Sequence, residues 1–181
     1  NAENQSPVMI YLDHNASAPL LPVARAVWLE AEERYPGNPS SPHRLGARAE
    51  AVLDLARQRL AAVLGGASHD LVFTSGATEA VTTVMHHVAG DADPAAVVWV
   101  SAIEHPAVLA SARAYFGPRV RLIPVSTEGV VDLAWVSSRL AVERPALVAV
   151  MAANNETGVL QPWRTLHEQC AAAGVPFFCD A

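Results

Sequence analysis

The sequence predicts an α/β fold in which crossover helices join the strands of a mainly parallel sheet. Three observations carry this expectation. From about Leu71 onward, apolar runs of strand length alternate with helical patterns, which is how parallel strands with helical returns are written in sequence. The helical stretches carry their own punctuation, such as Asp132 as a cap and Gly174 as a stop, where start and stop residues belong. The residues just after the apolar runs are polar while the runs are not, and in parallel sheets ligands sit beyond the carboxyl ends of the strands.

The elements follow in order. Residues 1–9 read as a tag scar or disordered arm, since Asn1 to Pro7 is polar and patternless. A short extended piece at 8–12 leads into the polar loop 13–19. Pro22 opens a helix to about Tyr35, at the position where proline is favoured. Residues 35–43 hold three prolines and a glycine and form a loop. The clearest helix spans 47–64, with Val52, Leu53, Ala56, Leu60, Val63 and Leu64 on one packing face and Gly65 placed to end it. Strands are predicted at 71–74, 97–101, 120–124, 147–151 and 175–180. Helices are predicted between them at 78–88, 106–115, 132–142 and 162–173. The chain stops at Asp180-Ala181 directly after its fifth apolar run, which reads as a cut through a domain.

Composition narrows the function. With 181 residues, 51% of them hydrophobic, the chain supports a real core. A net charge of -6 leaves no electrostatic footprint for nucleic acid or an anionic membrane. No window approaches the ~18 apolar residues of a membrane span, and no basic-then-apolar leader opens the chain, so the expected location is the cytoplasm. Cys170 and Cys179 form neither a CxxC pair nor a disulfide framework, and both read as structural. The 12 basic residues are all arginines, so chemistry that needs a lysine amine is beyond these 181 residues. A GxSxG elbow, a P-loop, a Gly-rich dinucleotide fingerprint and HExxH are all absent from the sequence. Adjacent His86 and His87 cannot face one metal from a regular helix, and no metal site is expected.

The strand ends supply the candidates. Ser75-Gly76-Ala77-Thr78 follows the first apolar run and opens a helix, whose free N–H groups and dipole suit a phosphate, with the Ser75 and Thr78 hydroxyls as further donors; an ordinary cap is the plainer reading. Glu104-His105-Pro106 follows the second run, Asn154-Asn155-Glu156-Thr157-Gly158 the fourth and Asp180 the fifth. A phosphate, a flat ring and a carboxylate facing a ring nitrogen are the needs of pyridoxal 5′-phosphate, an electron sink while its pyridine nitrogen is protonated. Asp180 could hold that proton through a charge-assisted bond, or serve only as a cap or strand-end charge. His105 could lie on the ring and move protons, or be a histidine at a helix start. Asn155 could donate to the phenolic oxygen, or be a turn residue.

Six segments together resemble the cysteine desulfurases, within the class-V aminotransferase group of fold-type-I pyridoxal-phosphate enzymes. They are Tyr11-Leu12-Asp13-His14-Asn15-Ala16, Gly37-Asn38-Pro39-Ser40-Ser41-Pro42-His43 with Gly46, Phe73-Thr74-Ser75-Gly76-Ala77-Thr78-Glu79, Glu104-His105-Pro106-Ala107-Val108, Asn154-Asn155-Glu156-Thr157-Gly158, and Asp180-Ala181. The resemblance implies that Ala77 and Thr78 bind the cofactor phosphate and that His105 stacks on the ring as a catalytic residue. It places Asn155 near the phenolic oxygen, Asp180 at the ring nitrogen, and Asn15 and Ala16 near the substrate. Residues 10–46 would form an N-terminal segment with substrate-side loops. Residues 47–181 would form most of a truncated cofactor-binding large domain.

The implied activity of the parent enzyme is conversion of L-cysteine to L-alanine, with sulfur passed to an enzyme persulfide and then to an acceptor protein for iron-sulfur assembly or thiolation. A homodimer is implied at full length. The family's cofactor-holding lysine, persulfide cysteine and substrate-gripping arginine would lie past residue 181. Ser17-Ala18, Val81-Thr82 and Ala152 depart from the usual pattern and bear on substrate identity. Two alternatives stay open: a class-V aminotransferase or selenocysteine lyase, and a catalytically incompetent structural or partner-binding module. The resemblance also implies a strand order in which 71–74 is separated from 147–151 by strands outside this sequence, while the other four strands are contiguous.

Overall fold

The computed structural model describes residues 10–181; the arm expected at 1–9 lies outside the described residues. The chain divides into two compact units, one reaching Phe73 and one spanning Thr74–Ala181.

The first unit holds α1 (Pro22–Arg34) and α2 (Arg44–Leu64). Helix α2 starts three residues earlier than the pattern predicts because His43 caps it, its Nδ1 accepting the Gly46 N–H at 3.2 Å. Gly65, at φ 74°, ends it in the left-handed conformation. The proline-rich loop before α2 is ordered by close approach. A Cβ on Gly46 would lie 2.1 Å from the Ser41 carbonyl oxygen, and one on Gly37 2.4 Å from that of Leu45, so both positions require glycine. Asn38 tightens the loop, its Oδ1 accepting the Ser40 N–H at 2.9 Å. The predicted packing face of α2 needs correction: only Gly46, Ala49 and Ala61 are buried, and Val63 is 83% exposed. A helical apolar stripe specifies which face seeks burial, and does not by itself supply the surface that covers it.

The strand predicted at 71–74 also needs correction. Leu71 is extended, with φ -103° and ψ 119°, yet the segment joins no ladder among the described residues. Val72 is 77% exposed and Phe73 46%. Arg57 holds this stretch: it donates to the Leu71 carbonyl oxygen and its guanidinium stacks 4.8 Å from the centroid of the Phe73 ring.

The second unit is built on four parallel strands, β1 (Val98–Ser101), β2 (Val120–Ile123), β3 (Leu147–Ala149) and β4 (Phe177–Phe178), in the order β2-β1-β3-β4. Val98, Trp99 and Val100 pair in register with Leu147, Val148 and Ala149. The four are contiguous, as the resemblance implies. Helices α3 (Ala77–Asp91) and α4 (Pro106–Phe116) cover one face, where Val81, Met85, Val108 and Phe116 meet Val98, Val100, Leu147 and Ala149. Helices α5 (Leu133–Leu140) and α6 (Trp163–Ala172) cover the other, where Val136, Leu166 and Cys170 meet Trp99, Ile123, Val148 and Val150. Period-two alternation sends neighbouring residues to opposite cores, and burial on both faces is why the central strands β1 and β3 read as apolar runs. Strand β2 ends before Pro124, which has no N–H for a ladder. Past β4, the Ala152 N–H donates to the Asp180 carbonyl at 2.7 Å, so Asp180 stands at the rim of the sheet. No described helix is long and apolar enough to cross a membrane.

This topology marks the β1–β3 pair, from which the chain runs to β2 on one side and to β4 on the other. Strand β1 continues into α4 on one face, while its neighbour β3 continues into α6 on the other. Adjacent parallel strands that send their chains to opposite faces open a crevice at their carboxyl ends, where ligands bind in sheets of this class.

Candidate active site at the strand ends

The loops that flank the crevice carry Glu104-His105 after β1 and Asn154-Asn155 after β3, and Asp180 follows β4. His105 is the N-cap of α4: its Nδ1 accepts the Ala107 N–H at 3.1 Å. That bond assigns the proton of the neutral imidazole to Nε2, and the ring is exposed. Asn155 is half-buried and its Nδ2 donates to Glu156 Oε1 at 2.9 Å. Asp180 is half-buried. Its charge is felt by Glu104, so a buried carboxyl that follows β1 senses a residue delivered at the end of β4.

Glu104 was not among the expected site residues. It is 4% exposed; Oε1 accepts from Ser101 Oγ–H at 2.6 Å and from the Met151 N–H at 2.7 Å. Its Oε2 is buried without a partner among the described residues. Burial pushes its carboxyl above the usual range, the two hydrogen bonds oppose that, Asp180 adds to the rise and His105 opposes it. Asn154 was also missed. Its Oδ1 accepts from the N–H groups of Glu156 and Thr157 at 3.1 and 2.9 Å, and its Nδ2 donates to the Ile103 carbonyl at 3.0 Å. Signals for both were present: a glutamate wedged between an apolar strand and a proline-opened helix, and an asparagine followed by Glu-Thr-Gly, an Asx-turn pattern.

Helix α3 begins at Ala77, and no side chain caps it. Gly76 is extended at φ 164° and ψ 177°, and a Cβ there would meet nothing within 4 Å. Glycine at 76 therefore answers no crowding by the chain itself and leaves open space before Ala77 and Thr78. Ser75, expected to add a hydroxyl donor, spends it within the chain: its hydroxyl and its N–H, the latter at 2.7 Å, both donate to Glu79 Oε2. Those two bonds hold the Glu79 carboxyl below its ordinary value. Asn15 and Ala16 lie in the first unit and are exposed.

Of the two thiols, Cys170 is buried and Cys179 half-buried. Cys170 is fully buried, and burial pushes its thiol up to about 11. Burial also raises Cys179, with further contributions from the Glu104 and Asp180 carboxylates. Among the described residues no cluster of His, Cys, Asp and Glu fits a metal ion. A shallow hollow of about 260 Å³ between His87, Asp91 and Pro176 lies near the amino ends of the strands and touches none of these site residues.

Comparison with known proteins agrees with this architecture. The family described as aminotransferase class-V matches residues 10–181. A cysteine desulfurase of Enterobacter agglomerans is 38% identical over 175 residues, which cover 95% of this chain and 43% of that protein. One from Frankia sp. (strain EuIK1) is 39% identical, covering 92% and 42%. Among solved structures, a NifS-like protein superposes with a TM-score of 0.85 at 29% identity, over 95% of this chain and 48% of the other. SspA in complex with cysteine gives a TM-score of 0.81 at 25% identity, over 94% and 50%. The chain thus spans less than half the length of these curated relatives, and by the match of its sequence from residue 10 to residue 181 it belongs to the class-V aminotransferase family.

Proposed function

We propose that these residues form the cofactor-binding part of a pyridoxal-phosphate-dependent cysteine desulfurase. The observation that carries this reading is that an imidazole, an amide and a carboxylate follow the carboxyl ends of β1, β3 and β4, beside the pair of strands at which the strand order reverses. The open, uncapped start of α3 fits a phosphate, and the carboxylate of Asp180 fits a cationic ring nitrogen. Bound pyridoxal phosphate supplies an electron sink for charge that develops at the substrate α-carbon.

The chain's own residues then have separate tasks. The N–H groups of Ala77 and Thr78 bind the phosphate, and the Thr78 hydroxyl adds a donor. Asp180 holds a proton at the ring nitrogen. His105 packs on the ring, and its Nε2 is the atom that carries a proton toward the reacting centre, since Nδ1 is occupied by the α4 cap. Asn155 orients the phenolic oxygen with its amide, and the resemblance implies that Asn15 and Ala16 serve the substrate. L-cysteine is the substrate in this reading, L-alanine the product, and a sulfur-acceptor protein and a second copy of the full-length protein are the partners, in the cytoplasm. The covalent hold on the cofactor comes from a lysine outside these 181 residues, which contain none. That same observation favours a second reading, in which this chain by itself is an inactive cofactor-binding or partner-binding module.

Two measurements separate these. Pyridoxamine 5′-phosphate, which needs no lysine, should quench tryptophan fluorescence of the 181-residue chain saturably; absence of saturable binding at millimolar ligand overturns the cofactor reading. In the protein that carries the lysine, Asp180→Ala should lower release of alanine from L-cysteine by on the order of 10²-fold while cofactor occupancy falls far less. Near-normal turnover in that variant would show that Asp180 does not face the ring.

A further inference from the structure

The two loops that flank the crevice hold each other. From the β1 side, the Glu104 carboxyl reaches across to take the Met151 N–H at 2.7 Å. From the β3 side, the Asn154 amide reaches back to the Ile103 carbonyl at 3.0 Å. Each crossing bond joins a residue of one loop to backbone of the other, and both run between elements 47 or more positions apart in sequence. The sheet explains why they are needed. The β1–β3 ladder closes with the Val100–Ala149 pair, and beyond it the two chains leave for opposite faces of the sheet. Backbone groups exposed by that divergence need partners from side chains, because a buried N–H left unpaired is costly.

We propose that Glu104 and Asn154 form a reciprocal clasp that positions the site, fixing the separation of His105, next to Glu104, from Asn155, next to Asn154. The inference rests on the cofactor reading above and assigns it two positioning residues. The clasp has two separable parts. Asn154 Oδ1 organises its own loop by accepting from Glu156, Thr157 N–H and Thr157 Oγ1–H, the last at 3.0 Å, while Nδ2 alone makes the crossing bond. Glu104 Oε1 makes both of the glutamate's bonds, an arrangement that the amide oxygen of glutamine reproduces.

The variants Asn154→Asp, Glu104→Ala and Glu104→Gln, made in the 181-residue chain, test this. Asn154→Asp keeps the acceptor oxygen and removes the crossing donor. It should leave the Glu156 and Thr157 amides protected from hydrogen exchange yet weaken pyridoxamine 5′-phosphate binding about tenfold, as loss of one well-placed bond does. Glu104→Ala should accelerate exchange at the Met151 amide by about tenfold or more and weaken binding similarly. Glu104→Gln should restore both to within about threefold of the parent chain, since it keeps the acceptor. Parent-like binding in Asn154→Asp with its loop amides still protected, or a Glu104→Gln variant as impaired as Glu104→Ala, overturns the clasp. Failure of the parent chain to bind the ligand overturns the cofactor reading and this inference with it, so the two failures are told apart by the unmutated chain.

Discussion

The rim of β1 and β3 and the segment from Leu71 to Thr78 are written alike, an apolar run followed by polar residues and then a helix. They end up in opposite physical states. At the β1–β3 rim the strands are laddered, buried on both faces and cross-bonded by Glu104 and Asn154. The Leu71 stretch is extended, exposes Val72 and Phe73, and is held by Arg57 and by the Leu71 N–H on the Ser68 carbonyl. The difference teaches that strand propensity specifies a backbone conformation, whereas a strand is a pairing, and its stability comes from neighbours along the sheet. The two regions suit different tasks: one fixes distances between side chains, and the other leaves backbone donors open at a helix start.

The largest expected contrast is in stability. Trp99, in β1, is fully buried against Trp135 at 5.1 Å between ring centroids, so Trp99→Ala should cost about 3–5 kcal/mol. Val72→Ala should stay within about 0.5 kcal/mol, as exposed positions do. Urea midpoints on the same chain measure both; a Val72→Ala loss above about 1 kcal/mol would mean that the segment has a packing partner and that the contrast is false.

A smaller effect sharpens the contrast at two glycines that precede or open helices. Gly46→Ala forces a Cβ onto the Ser41 carbonyl and should cost about 1–3 kcal/mol. Gly76→Ala has open space around it, so thermal stability should barely change. Any loss it causes should be confined to binding of the phosphate-bearing ligand. A Gly76→Ala chain that unfolds as early as Gly46→Ala would show crowding at the start of α3.

The smallest effects are in pH dependence, and their signs are opposite. Glu104 has a raised carboxyl, chiefly through burial. The stability linked to a raised acid is fully present below its unfolded value and is lost as pH rises through the folded one. Glu104→Gln, which stays neutral, should therefore gain on the parent as pH rises from the carboxylate range toward 8. Glu79 has a lowered carboxyl because the Ser75 hydroxyl and N–H bond it. Its contribution is present above the unfolded value and lost as pH falls through the folded one. Glu79→Gln should thus lose on the parent near pH 7 and match it in stronger acid. Melting temperatures of both variants across pH check this, and equal signs would break the assignment.

Much of the architecture was legible from order and periodicity. Helices α1 to α6, the four paired strands and the polar strand ends with His105, Asn155 and Asp180 follow from apolar spacing and from caps such as Pro22, Asp132 and Gly65, all of which act within a few residues. Glu104 and Asn154 escaped because their importance lies in bonds across 47 and 51 positions, which no local window contains. Ser75 was misjudged for a related reason: a hydroxyl is a donor in sequence, but its acceptor, here Glu79, is settled by geometry.

By itself the sequence determined the local conformations, the parallel α/β class and membership of the class-V family, since backbone preference, side-chain period and motif order are properties of neighbouring residues. Tertiary structure alone decided which extended runs became strands, which apolar faces were covered and which polar atoms met. Those outcomes depend on partners brought together from distant parts of the chain. The run at 71–74 and the stripe on α2 carry the right pattern without such partners among the described residues, whereas Glu104 and Asn154 acquire theirs only where β1 and β3 part.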